Sequence, residues 1–581
     1  LPGLDLTLRG GMDMNNDFRT QQKPKMTADY LNGMYREQTV REYEFNIDFL
    51  LKYQRAFLND RLTLSAAVGG NEMRYSYATT KITAPELEID GVYKLKNSAV
   101  TLVTDASRRE KGVHSIYEFV NLGWDDTYFL DITCRTDWSS TLHPTKWSYT
   151  YPSVSASVLL DKALKINTPY VNMLKVRASW ANVGNDTSPY SLYDAYSKTS
   201  LPGGFTLPST LKDAYINPEN VESWEVGFEG KFLSNRLNFD VALYKNTTTD
   251  QILGVSQSSE TGATKVMMNA GRVENKGIEI SFRLRPVQTR DLLWEINGNW
   301  ARNKNKLCEL NEGWDPSTPL QTSMGVTIGS RTFVYSYIGE EMHWIYGRDY
   351  VRAPKGSTYT DENGTVIDCS GMPIIDPKTG YPSLIEDPNQ RIAKVNPDWK
   401  AGFGTSVRYK NLSFSAQFTA QMGGNSFSVT NFALSYQGKL KNSLPGREDG
   451  LVLKGVNAVD NGDGTVSYNR NNTITENVYI YYNKYQWVRD NTKANTFSTD
   501  FLKLKEVRLD YRFPEKWMRK TGFLRSASLG VFATNLFCIT NWPQYDPEAA
   551  GVVSGSNIYG GIETGSFPMT RTYGFNIKLQ F

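Results

Sequence analysis

The chain has 581 residues with 64 basic and 61 acidic side chains, a balance that implies no polyanionic partner and no nucleic acid. Mean hydropathy is −0.47, and no run of about 18 apolar residues occurs, which excludes a transmembrane helix. Aromatic residues reach 13%, a content that suits strands and interfaces.

From the N-terminus, "LPGLDLTLRG" reads as a strand and not as a leader. Period-2 alternation then recurs in about sixteen segments, beginning near residues 1, 42, 60, 114, 126, 149, 171, 221, 236, 276, 291, 398, 411, 498, 523 and 567. In "RLNFDVALY", Leu237, Phe239, Val241 and Leu243 alternate with Arg236, Asn238 and Asp240. "GIEISFRLR" sets Ile278, Ile280, Phe282 and Leu284 against Glu279, Ser281, Arg283 and Arg285. "NLSFSAQFTAQM" sets Leu412, Phe414, Ala416, Phe418, Ala420 and Met422 against Ser413, Ser415, Gln417, Thr419 and Gln421. The phase slips in "FLKLKEVRLDYRF" between Leu504 and Val507, which predicts a bulge near Lys505–Glu506. The last segment, "TRTYGFNIKLQF", is apolar at Tyr573, Phe575, Ile577, Leu579 and Phe581.

Most of these segments are about ten residues or longer, the length that crosses a bilayer core as a tilted strand. A long connection follows the first strand, and then short turns ("RAFLND", "WDDT", "LSNR", "PVQTRD", "YKN") alternate with long segments at about 76–113, 183–220, 247–275, 303–397, 423–497 and 541–566. That alternation is the pattern of an outer-membrane barrel with short periplasmic turns and long extracellular loops. It makes the first strand ascend and the final one descend, with the C-terminus periplasmic. The competing reading, a soluble β-sandwich or propeller, explains the alternation but neither the strand length nor the loop asymmetry. Charges such as Lys175, Arg177, Asp240, Arg283 and Arg285 are then lumenal, and the opposite face is lipid-facing.

Residues that could carry chemistry are sparse. His114, His143 and His343 are not spaced with one another or with cysteine for a metal site, and neither G-x-S-x-G nor H-E-x-x-H occurs. His114 and Ser139 lie at neighbouring strand ends, without a motif to pair them. Cys134, Cys308, Cys369 and Cys538 form no CxxC; Cys134 reads as an apolar strand residue, and a Cys308–Cys369 bridge stays open. "DNGDGTV" and "DENGTV" miss the calcium-loop spacing and read as turns. No catalytic residue, metal or cofactor is expected, so the chain is not read as an enzyme. The aromatic run "NVYIYYNKYQW" is the one candidate for substrate contact, through Tyr479, Tyr481, Tyr482, Tyr485 and Trp487, with loop packing as the alternative. "YSYIGEEMHWIYGRDY" reads as structural.

Several stretches resemble the SusC/RagA family of TonB-dependent outer-membrane transporters. These are "NPENVESWEVGFEGKFLSNRLNFDVALYKNTTTDQIL", "NAGRVENKGIEISF", "NWARNKNKLCEL", "NPDWKAGFGTSVRYKNLSFSAQFTAQMGGNSF", "FLKLKEVRLDYRFPEKW", "ATNLFCITNWPQYDPEA" and "SFPMTRTYGFNIKLQF", in that order. "RTDWSSTL" with "YPSVSASVLL" resembles the family's Arg-Asp-Gly-Ser-Ser…Pro-Ser element, with Trp138 in place of the glycine. The resemblance implies the C-terminal part of a twenty-two-stranded transmembrane antiparallel β-barrel, with a plug and further strands upstream of Leu1. It implies active import of a large nutrient, oligosaccharide before oligopeptide, with a SusD-like lipoprotein and with TonB acting through the plug. A passive porin or an adhesin barrel is the alternative from another class, and a soluble glycan-binding protein is a third. The alternating C-terminal row ending at Phe581 resembles the insertion signal of outer-membrane barrels.

Overall fold

The computed structural model describes every residue except 1, 200, 202, 257–259, 261, 264, 311–313, 322–331, 476, 550–559 and 566–567, and only the backbone at 255, 256 and 549. Its wall is one 16-stranded sheet in which each strand pairs with the next in sequence. The strands are β1 (Leu4–Lys23), β2 (Met34–Phe57), β3 (Leu62–Ala84), β4 (Val103–Trp124), β5 (Tyr128–Ser139), β6 (Ser148–Leu159), β7 (Val171–Asn185) and β8 (Glu219–Phe232). They continue as β9 (Leu237–Thr249), β10 (Arg272–Gln288), β11 (Leu292–Glu309), β12 (Trp399–Tyr409), β13 (Leu412–Met422), β14 (Phe501–Arg512), β15 (Ser526–Thr540) and β16 (Thr572–Gln580). All fifteen ladders between them are antiparallel. Such a meander is the topology of transmembrane barrels.

Connections at the two ends of the sheet differ in length. One end carries turns such as 58–61, 125–127 and 233–236, where consecutive residues adopt positive φ, for example Asp125 (49°) and Asp126 (46°), and the two-residue turn 410–411, where Lys410 alone does. Paired left-handed residues match the twist of the flanking strands. The other end carries the long connections.

Two boundaries differ from those read in the sequence. β1 and β2 run 20 and 24 residues, so the first long connection shrinks to 24–33. β3 and β4 likewise extend to Ala84 and from Val103, leaving 85–102 where 76–113 was expected. The physical reason is that these extensions project beyond the apolar band. There neither face carries a continuous apolar row, so Arg36–Thr39 and Thr79–Lys81 form ladders without alternating, while Tyr35 and Ala84 at the tips pack on Leu87. The expected start near 567 lies outside the described residues, and the strand itself begins at Thr572.

The wall has one apolar and one polar face. Register aligns Leu243 with Ile278, Val241 with Ile280, Phe239 with Phe282 and Leu237 with Leu284. Across the next ladder Ile280 meets Trp300 and Phe282 meets Gly298, whose absent side chain leaves room for the ring; a Cβ there would lie 2.5 Å from it. The opposite face is bound by charge. Arg177 donates to Asp240 at 2.5 and 3.1 Å and to Glu225 at 3.2 Å, and Arg285 reaches Glu295 at 2.9 Å. Lys175 and Arg283 share that face, opposite Glu229 and Asn238. The predicted bulge is present, as register shifts between Leu504 and Glu506 and opposite Gln417/Phe418.

An arginine mid-wall separates the two faces experimentally. Phe282→Arg is expected to destabilise the protein in lipid by about 2–4 kcal/mol, while Ser281→Arg stays near neutral. Denaturant unfolding of protein reconstituted in vesicles checks this.

Candidate functional site: the folded long connections

The long connections are packed structures. A cluster of Leu253, Ala270, Val273, Leu307, Leu310, Leu320 and Met342 joins the connection after β9 to the one after β11. Val334, Ile345, Phe427 and Ile562 tie the connection after β11 to those after β13 and β15. Polar pins hold them down. Lys503, with its side chain 2% exposed, is ion-paired with Asp546 and lies 2.7 Å from Glu548, which also takes Lys505 at 2.6 Å. Glu563 accepts from Ser428 Oγ at 2.8 Å and from Thr430 Oγ1 at 2.6 Å.

The aromatic run is built by a cap. Asn477 Oδ1 accepts from the Tyr479 and Ile480 amides at 3.0 and 3.2 Å, starting a one-turn helix, Val478–Ile480, that widens into a π-helical turn at Tyr481–Gln486. Such wide turns cost regular hydrogen bonding and recur at functional sites. The turn splits the five candidate aromatics. Tyr482 and Trp487 stack at 5.2 Å within a buried cluster with Val478. Tyr485 stacks on Tyr381 at 5.0 Å. Tyr481 donates to Gln486 Oε1 at 3.1 Å, and Tyr350 donates to the same atom. Burial pushes the Tyr481 phenol up to about 12 and the Tyr350 phenol higher still. Tyr479 alone stands out, 62% exposed.

A cavity of about 490 Å³ opens beside this turn, lined by Tyr479, Tyr482, Asn477, Asn483, Arg447, Glu448 and Ser435 among others. Ser435, on the helix Val429–Tyr436, is 1% exposed, yet among the described residues its Oγ has no hydrogen-bond partner, and neither has the buried Oδ1 of Asn483. Buried polar atoms left unpaired cost about 1–3 kcal/mol each, so both are groups that a polar ligand or water would satisfy. Arg447 is preorganised: its Nε and Nη2 donate to Ser443 O at 2.7 Å, Gly438 O at 3.2 Å and Ser443 Oγ at 2.7 Å. Sequence reasoning passed over Ser435, Asn483, Arg447 and Glu448. The "LPGRED" turn and Asn477 as a cap before "VYI" were the available cues.

Other sequence candidates resolve differently. His114 opposes Trp138 on the apolar face, 3.7 Å from Glu72, while Ser139 donates to Asp186 at 2.5 Å from the polar face, so the two form no dyad. "DNGDGTV" and "DENGTV" are hairpin turns, in which Asp460 accepts from the Gly462 amide and Asp361 from those of Asn363 and Thr365. All four cysteines are free thiols; Cys369 packs against Ala353 and Val456, away from Cys308 on β11. In the terminal strand, Tyr573, Phe575 and Ile577 oppose Ala533, Val531 and Leu529 on the apolar face, and Phe581 stacks on Phe523 at 6.1 Å. Asn576, on the polar face, accepts from Arg508 at 2.8 Å.

A family model described as TonB dependent receptor-like, beta-barrel matches residues 3–444. The chain belongs to that family. Barrels of this family sit in the outer membrane, and the apolar face is their lipid face. The resemblance to SusC/RagA proteins holds in pairwise comparison. This TonB-dependent receptor barrel is 24% identical to the TonB-dependent receptor SusC of Bacteroides thetaiotaomicron over 82% of its own length and 45% of SusC. It is 25% identical to TonB-dependent receptor P3 of Formosa agariphila over 84% of its own length and 47% of that relative. The solved RagAB peptide transporter shares the fold, with a TM-score of 0.75 at 18% identity over the whole chain and 60% of that structure's chain. The chain thus spans about half the length of the curated relatives it matches.

Two outcomes test how the connections are held. Lys503→Met leaves Asp546 buried without its cation, which should cost about 3–5 kcal/mol and open the segment after β15 to limited proteolysis. His343 is buried, its Nε2 unpaired among the described residues, and burial pushes its pKa down despite a side-chain hydrogen bond with Asn396. Its folded pKa lies below the unfolded value of about 6.5. The neutral form therefore stabilises the connection above that pH, and stability falls as the medium acidifies through and below it. Protease resistance of residues 332–398 should drop between pH 7 and pH 5, and His343→Asn should flatten the drop.

Proposed function

We propose that this barrel is the C-terminal wall of a TonB-dependent importer that takes up a large nutrient with a SusD-like surface lipoprotein. The observation that carries the reading is the pairing of a family-matched barrel with long connections folded around a polar cavity at one end. In this reading the long connections face the cell exterior, at about 85–102, 186–218, 250–271, 310–398, 423–500 and 541–571, and the C-terminus is periplasmic. β1 and β16 are the two edges of the described sheet. They pair with further strands of the same transporter, which also supplies the plug that TonB engages.

Oligosaccharide is the first cargo class. The exposed Tyr479 ring offers a face for a sugar, and Ser435, Asn483 and Glu448 offer hydroxyl partners. Oligopeptide is the second, favoured by Arg447, which would take a carboxylate. A plugless passive porin or adhesin is the reading to be excluded. The apolar row Tyr573, Phe575, Ile577, Leu579 and Phe581 serves as the insertion signal.

Purification of the intact transporter from outer membranes in mild detergent tests the assignment. Co-purification of a SusD-like lipoprotein and a plug within the same polypeptide is expected; finding neither overturns it. Tyr479→Ala should weaken cargo binding about three- to tenfold, through loss of ring contact, at unchanged fold. Removing Phe581 should lower the membrane-inserted amount severalfold, read as the heat-modifiable band in membrane fractions.

A further inference from the structure

The lipid face of the wall changes character abruptly on three adjacent strands. Reading toward the long connections, the outward row of β11 is Trp294, Ile296, Gly298, Trp300 and then Arg302, Lys304 and Lys306. The alternate residues of its cationic stretch, Asn303 and Asn305, face the lumen. The same step occurs at the same level next door. Leu243, Ile278 and Arg302 are in register, and Lys276 lies between Lys245 and Lys304.

These cations are not neutralised as others on this face are. Arg74 and Arg108 each meet a glutamate two residues away, at 2.8 and 2.5 Å. Here Glu274 is shared by Lys245 and Lys276, at 2.8 and 2.7 Å. Arg302, Lys304 and Lys306 make no ion pair within 4 Å among the described residues, with Asp398 acting on Arg302 and Lys304 only at longer range and Glu274, opposite Lys306, held by the other two lysines; all three are exposed. Past β11 the outward row is apolar at this level: Trp399 of β12, one residue beyond the Ala301–Lys400 pair, lies against Met422 of β13. The cationic step therefore ends on that side at β11.

It is also concave. A cleft of about 630 Å³ is lined by Lys276, Arg302, Lys304 and Lys306 and by Leu243 and Ile278; the two carboxylates that also line it, Glu274 and Glu341, are taken up by Lys245 and Lys276 and by Lys394. Trp224, 55% exposed beside Lys245, marks the interface level. Cations directly above an apolar band, in a cleft open to lipid, complement a phosphate whose hydrocarbon lies below it.

We propose that this cleft is a binding site for the phosphate of a phosphorylated lipid headgroup, with Arg302, Lys304 and Lys306 as its ligands and the acyl chains on the apolar rows of β9–β11. The assignment of the cleft to the outer leaflet rests on the reading that the long connections face the exterior. A bound lipid would lock the rim from which the connections at 250–271 and 310–398 rise.

The intact transporter, purified in mild detergent, is titrated with phosphorylated lipid A, dephosphorylated lipid A and inorganic phosphate, and retention is read by native mass spectrometry. Phosphorylated lipid A should bind, and both other probes should bind far more weakly. Arg302→Gln/Lys304→Gln/Lys306→Gln should lose about hundredfold in affinity, from roughly a factor of five per cation. The single variant Lys304→Gln should lose about fivefold, which keeps the test open if the triple variant misfolds. Lys400→Gln, on the lumenal face, should bind as the parent does. Equal binding of the dephosphorylated lipid, equal binding of inorganic phosphate, or unchanged affinity in Lys304→Gln would each overturn the site. Loss of cargo uptake with lipid binding intact would count against the import reading alone.

Discussion

In the hydrocarbon core of a membrane no water is available to the backbone, so every peptide N–H and C=O must find its partner within the protein. That constraint organises the chain. It requires each wall strand to be paired on both sides, and the simplest way to pair sixteen strands of one chain is to lay each beside its predecessor, as here. It also fixes where irregular backbone can occur. The turns at one end are as short as two residues, at 410–411, and the longest connections, 186–218, 250–271, 310–398, 423–500 and 541–571, all lie at the other end. At the two edges, β1 and β16, the same requirement is still unmet within the described sheet.

Once the wall is fixed, the long connections face a different problem. Connections of this length cannot rest on local propensity, and they are held by packing against one another and by buried ionic pins to the strand ends. Lys503 shows the logic. It sits on the polar face at the end of β14 that carries the long connections, and it reaches two carboxylates from the connection after β15. A desolvated cation tolerates burial only when its partners are in place, so the contact specifies one arrangement of that segment. Glu563, holding Ser428 and Thr430, does the same for two connections at once. The cavity beside the π-helical turn is a product of this packing. It combines rigid walls, from Tyr482 stacked on Trp487, with polar atoms left unsatisfied among the described residues.

The wall was legible in the sequence because lipid enforces strict alternation. Leu237 to Leu243 and Ile278 to Leu284 announce both strand and face, and the phase slip at Leu504–Val507 locates the bulge. Legibility ended where the bilayer ended. The upper parts of β1–β4 carry Arg36, Gln38 and Thr80 in ladders with no continuous apolar row, and no period marks them. The site was only half readable. An aromatic run stands out by composition, but whether a given ring is wall or contact depends on partners distant in sequence, such as Tyr381 for Tyr485. Ser435 and Asn483 carry no motif at all; only their unpaired burial distinguishes them.

The central claim is that the apolar rows of this wall face lipid and the charged rows face a wet interior. Spin-label accessibility along β10, in a protein whose four native cysteines are replaced by serine and which is reconstituted in bilayers, tests it most directly. Labels at 278, 280, 282 and 284 should be accessible to oxygen in the lipid phase, those at 279, 281 and 283 to a polar relaxant, and the lipid signal should end at 276. Uniform accessibility of all positions to the polar reagent, or a period unlike two, would contradict the account.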